Sequence, residues 1–195
     1  MSQLSLVYLQ KLRTDIHAYA LKRRDIIKQS DDALHHAKRS IFAMHRGNMT
    51  EAKEKLVMVE AMLKGLFVTY KKEPRFTDEG AFKAALEEYV EAVLFYQFIT
   101  TGSIGPVKKL PIEAESYLSG LCDVPGELYR YAIKAATAGD SSVVQQCADM
   151  ANEIIGELIE FNLTSYLRTK FDQAKQAAHK LEQVVYEVAI RGRKV

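Results

Sequence analysis

No glycine or proline occurs in this chain before Gly47, and that absence is its strongest constraint. A helix free to run from about Gln3 to His45 would be on the order of 65 Å long at ~1.5 Å per residue. A compact globule of this size has a radius of gyration of roughly 16 Å, or a diameter near ~40 Å. The helix therefore either breaks or projects beyond its own subunit, and projection points to contacts between copies.

The rest of the chain follows the same period. Apolar residues recur three and four apart almost throughout, and strand-type alternation is hard to find. We read the chain as all-α, one domain over residues 1–195, a single bundle of about six to seven helices with a long N-terminal helix. A second helix starts after the cap-like Thr50 and runs to about Lys72. Thr77 caps a third, Asp78 to Thr101, and Gly102, Gly105 and Pro106 mark the clearest linker. A fourth helix, from about Ile112 to Ala138, contains Pro125-Gly126. Pro125 cannot donate to the carbonyl of Leu121, so a kink is expected there. Gly139-Asp140-Ser141 opens a fifth helix to about Glu160, and the last covers about Thr164 to Ile190.

Composition excludes several classes. With a net charge of +2, any basic surface must come from local clusters such as Lys38-Arg39, Lys71-Lys72 with Arg75, or Lys108-Lys109. Two cysteines, Cys122 and Cys147, without CxxC spacing argue against a zinc site or a disulfide framework, and Cys122 reads as a buried structural thiol. Met1 to Leu9 is too short for a signal peptide before Lys11 and Arg13, and no uncharged run reaches the roughly 18 residues a membrane span needs. The expected location is cytoplasmic.

The acids carry the chemistry. Glu88 and Glu91 sit at the start of the most apolar stretch, Tyr89 to Ile99, and Asp123 and Glu127 lie in a second, Leu118 to Tyr131. Positions three or four apart share a helical face, so each pair points one way. Carboxylates so placed are costly to bury unless paired, protonated or bound to a cation. Hard oxygen donors select Mg²⁺ or Mn²⁺ over zinc. The competing reading is that Arg130, three residues past Glu127, neutralises Asp123 and Glu127. A ferritin-like di-metal bundle would want Glu-x-x-His on paired helices, and only Asp32 with His35 approaches that. The histidines, His45 among them, read as surface or helix-packing residues. Phe95-Tyr96-Gln97-Phe98 reads as core rather than a base-stacking platform.

Ordered blocks then become recognisable. Glu87-Glu88-Tyr89-Val90-Glu91-Ala92-Val93, with Phe95 to Ile99, resembles the signature of the nuclease branch of the translin family, translin-associated factor X. Lys38-Arg39-Ser40-Ile41-Phe42 with His45-Arg46 is similar to the end of that family's first helix. Tyr117-Leu118-Ser119-Gly120 and Gly126-Glu127-Leu128-Tyr129-Arg130 resemble its central acidic helix. Leu181 to Glu187, ending Ile190-Arg191-Gly192, is similar to its C-terminal helix. The short linker after the third helix, and both branches' features in one chain, resemble an archaeal-type homologue.

The resemblance implies a closed, hollow octamer of all-α subunits that handles single-stranded nucleic acid inside. It implies Mg²⁺-dependent (or Mn²⁺-dependent) RNA cleavage carried by Glu88, Glu91 and Asp123, with Glu127 as a further metal ligand. The expected function is a metal-dependent endoribonuclease on single-stranded RNA within a homo-oligomer. Lys38, Arg39, Lys71, Lys72, Arg75 and Arg130 are the candidates for gripping phosphates, which would make binding salt-dependent. The alternative is a non-catalytic scaffold for single-stranded RNA or DNA, and a third reading is a purely structural helical oligomer.

Overall fold

Helix α1 (Leu6–His45) runs unbroken in the computed structural model, which describes residues 4–192. Gln3, where the sequence reading starts this helix, lies outside the described residues. Ser5 caps α1 by accepting from the amide of Tyr8. Of the two expectations, projection is the outcome. The buried positions of α1 begin at Ile26 and continue through Ser30, Ala33, Ala37, Ser40 and Met44, spaced three and four apart. Leu12 and Ile16 extend the same spacing towards the N-terminus but stand exposed.

Gly47, at φ +79°, makes the turn out of α1 that an L side chain rarely adopts. Asn48 then caps α2 (Met49–Tyr70) by accepting from the amide of Glu51, two residues earlier than the Thr50 cap read from sequence. Small residues let α1 and α2 approach closely, and the hydroxyl of Ser40 donates to the carbonyl of Ala52 at 2.9 Å. Beyond α2, Phe76 turns into the core against Phe82, ring centres 4.2 Å apart.

Helix α3 (Gly80–Thr101) starts later than Thr77 would have placed it. The reason lies in α1. Tyr19 and Arg23 both bind the carboxylate of Glu79, and Arg75 stacks on the Tyr19 ring at 5.0 Å. Residues 75–79 are thereby held as turns, so Thr77 never caps. Burial and the bond to Glu79 push the Tyr19 phenol up to about 12.

Gly102, in the left-handed region, ends α3, and an irregular connection leads to α4 (Ala114–Thr137), which continues through Pro125. Asp140 caps α5 (Ser141–Ile159), and α6 (Ser165–Gly192) completes the chain. Six helices result, with no strand among the described residues. α1 packs on α2 and α3, while α4 joins α3 to α5 and α6. Both thiols are buried, and burial raises Cys122 to about 11 and Cys147 to about 12, so neither ionises readily. No helix among the described residues is long and apolar enough to cross a membrane.

Candidate active site

The apolar stretch of α3 is core, as its composition requires: Tyr89, Val90, Ala92, Leu94, Phe95 and Phe98 are all buried. Glu88 and Glu91 ride on that helix. Helix α4 meets it at Gly120, where an added Cβ would stand 2.7 Å from the Glu87 carbonyl oxygen and 2.7 Å from Val90 Cγ1. Only a glycine permits that approach. One turn and two turns beyond Gly120, the same face of α4 carries Asp123 and Glu127. The close crossing thus brings both acidic pairs alongside each other. Further up, Phe95 meets Tyr131. The contacts run in the same order along both helices, so α3 and α4 are roughly parallel.

The acids fall into two groups by their partners. Of Glu88, Glu91, Asp123 and Glu127, three have cations supplied by the protein, as does the neighbouring Glu87. Lys38 of α1 reaches Glu88 at 3.8 Å, and Lys170 of α6 pairs with Asp123 and lies 3.3 Å from Glu87. The Tyr166 hydroxyl donates to Glu87 at 2.8 Å. Glu127 contacts His45 Nε2 and accepts from Arg130 Nη1 at 3.0 Å on each oxygen. Arg130 therefore answers only Glu127; the partner of Asp123 is Lys170, not the arginine that spacing had offered to both. Glu91 is different. It is 8% exposed, and no hydrogen bond or ion pair reaches its carboxylate among the described residues.

The electrostatics follow. Burial first, then the carboxylates of Glu88, Asp123 and Glu127, hold Glu91 well above the usual range. Burial raises Glu88 too, with Lys38 opposing. Burial would also raise Glu127, but the bonds from His45 and Arg130 outweigh it and the group falls below its usual value. Pairing with Asp123 holds the Lys170 ammonium above its ordinary range despite burial. Five carboxylates (Glu87, Glu88, Glu91, Asp123, Glu127) face three permanent cations (Lys38, Arg130, Lys170), so the acids outnumber the permanent cations by two. A further cation, or protons, would balance that excess.

As arranged, no three His, Cys, Asp or Glu side chains among the described residues converge at metal-holding spacing. Glu88, Asp123 and Glu127 are each turned towards a partner of their own. The donor chemistry is nonetheless that of a hard divalent cation: all oxygen, with Glu91 buried and unmatched at the centre. A cavity of about 260 Å³, lined by Lys38, Ile41, Phe42, Glu88, Glu127 and Arg130, opens onto Glu88 and Glu127. Its lining carries both charge signs, acids to hold a cation and bases to hold a phosphate.

Of the six basic residues expected to grip phosphate, Lys38 and Arg130 line this cavity, and Arg39 lies one position from Lys38 and 4.0 Å from Glu51. Lys71, Lys72 and Arg75 are not brought to it. They sit where α1 passes Tyr19 to Arg23, roughly 22 Å from Lys38 at ~1.5 Å per helical residue. Arg75 is engaged with Tyr19 instead. His45 is a helix-packing residue, 5.1 Å from the Phe95 ring, and it also touches Glu127, a contact its sequence neighbours do not signal. Lys170 had no local signal at all, being separated from Asp123 by 47 positions.

The Translin family profile matches residues 21–192. Translin of Gallus gallus is 37% identical over 82 residues, a stretch that covers 42% of this chain and 36% of that protein. The chain thus spans about a third of the length of that relative. Translin-associated protein X homolog of Schizosaccharomyces pombe is 25% identical over 192 residues, 87% of this chain and 82% of that one. Among solved structures, the AfC3PO–duplex RNA complex superposes with a TM-score of 0.85 at 23% identity, covering 94% of this chain and 97% of the other. The crystal structure of apo-NeC3PO gives 0.83 at 23% identity, over 96% and 100%. At that identity the likeness establishes the fold.

Proposed function

Because the chain belongs to the translin family, we propose that it is a divalent-cation-dependent endoribonuclease acting on single-stranded RNA within a homo-oligomer. The observation that carries this reading is Glu91, a buried carboxylate without a partner, set among acids that outnumber the protein's own cations. Glu88, Glu91 and Asp123 would hold Mg²⁺ or Mn²⁺, with Glu127 beside them. The cation would supply an activated water and stabilise the charge that develops at the phosphorus.

The chain's own residues have separable tasks. Lys38 and Arg130 grip phosphate oxygens at the cavity mouth. His45 and Arg130 hold the Glu127 carboxylate in one orientation. Lys170 fixes Asp123 and Glu87 from the α6 side. Were Glu88 and Asp123 to hold the cation, Lys38 and Lys170 would be available to the RNA backbone. AfC3PO, whose fold this chain shares, is the subject of a duplex RNA complex, which supports RNA as the ligand class. The exposed Leu12 and Ile16 stripe on α1 supports association with further copies.

Cleavage of a labelled single-stranded RNA tests this with Mg²⁺, with EDTA, and with Glu91→Gln. Cleavage only by the wild type with Mg²⁺ is the expected result; cleavage that survives EDTA or the substitution removes this site. A second reading, an RNA-binding scaffold with inert acids, is favoured by the three acids that already have cations. Retention of RNA without cleavage in all three conditions would establish it.

A further inference from the structure

Phe42 stands on α1 in the lining of the acidic cavity and is 54% exposed. Its surroundings set it apart from a stray surface apolar residue. The Arg46 guanidinium lies over its ring, 4.8 Å from the centre, and is itself held by Glu51 at 3.2 Å. One face of the ring is covered and its position is set from that side. The ring shares the cavity lining with Lys38 and Arg130. Along α1, Lys38 is one turn before Phe42 and Arg46 one turn after, on the order of 6 Å to either side. A flat apolar surface between two cations, each a single turn away, matches a nucleotide strand: the base meets the ring while adjoining phosphates meet the charges.

We infer that Phe42 is a nucleobase-stacking subsite, which holds the base next to the phosphate presented to Glu88, Glu91 and Asp123. The inference rests on the RNA reading above but not on catalysis. A stack on the free face of Phe42 requires an unpaired base, because a base within a duplex has both faces occupied. The subsite thus favours single-stranded over paired RNA at the cleavage position. The ring offers no hydrogen-bonding group to a base edge, so it distinguishes bases only by stacking strength.

Fluorescence anisotropy tests it, with EDTA present so that metal-dependent cleavage stops. The probes are a labelled single-stranded oligoadenosine and an abasic ribose-phosphate strand of equal length. Phe42→Leu keeps apolar bulk without the ring and should weaken oligoadenosine binding about 5- to 150-fold, the size of one lost stack. It should leave the abasic strand unaffected, and Phe42→Tyr should restore the loss. Equal wild-type and Phe42→Leu affinity for oligoadenosine would overturn the subsite, as would an equal loss on both probes. If wild type binds neither strand, the RNA reading itself fails and the subsite with it.

Discussion

Gly120→Ala puts a single methyl group at the point on which the site's geometry depends. The new Cβ would lie 2.7 Å from the Glu87 carbonyl oxygen, 2.7 Å from Val90 Cγ1 and 2.8 Å from Val90 Cβ. Two of those neighbours are backbone oxygen and a β-branched carbon, so neither can swing aside as a long side chain would. Relief requires α3 and α4 to separate by about half an ångström. Overpacking of this kind costs about 1–3 kcal/mol, here at the upper end because the neighbours are stiff. Alanine returns about 1 kcal/mol in helix propensity. The net is a loss of about 2 kcal/mol, or a fall of about 4–8 °C in Tm for a chain of this length. Displacement of one acidic pair from the other should cost activity beyond the stability loss, since misplacement by about 1 Å can cost 10²-fold. Thermal unfolding followed by circular dichroism, beside cleavage measured well below Tm, reads both effects. A variant with unchanged Tm and full activity would show that the helices do not approach this closely, and the argument for convergent acids would fail.

Three further outcomes are expected. Glu91 is held well above its unfolded value of 4.5, so as pH rises past that value the unfolded chain releases this proton first and metal-free stability declines; Glu91→Gln should abolish that slope, being more stable than wild type at about pH 8 and equal to it at about pH 4 in denaturant titrations. Lys170→Met leaves Asp123 and Glu87 without their cation and should destabilise by on the order of 3 kcal/mol, with Mg²⁺ restoring part of the loss; a variant as stable as wild type would show the pair to be inert. Ile16→Glu charges the exposed stripe of α1 and should lower the mass found by light scattering while helix content is retained, whereas a wild-type monomer would contradict the proposed assembly.

Much of the fold was legible because helices announce themselves locally. The glycine-free first segment became α1, and Gly47, Gly102 and Asp140 mark turns and caps where their chemistry requires them. The start of α3 was misplaced because Thr77 is a good cap in isolation, yet Tyr19 and Arg23 decide that segment from 56 to 60 positions away. The acids of the candidate site stood out because charge in an apolar run is costly. Their partners did not. His45 lies 82 positions from Glu127, and nothing near either residue encodes the meeting. The same holds for Lys170 and Asp123. Lys71 and Lys72 show the converse, a basic cluster that is conspicuous in sequence but remote from the acids in space.

Calorimetric titration of the metal-free protein with Mn²⁺ bears most directly on the central proposal, that Glu91 and its neighbours hold a divalent cation. Binding should be saturable, release protons as Glu91 gives up its own, and disappear in Glu91→Gln. Saturable binding of equal strength in the variant, or none in the wild type, would contradict it.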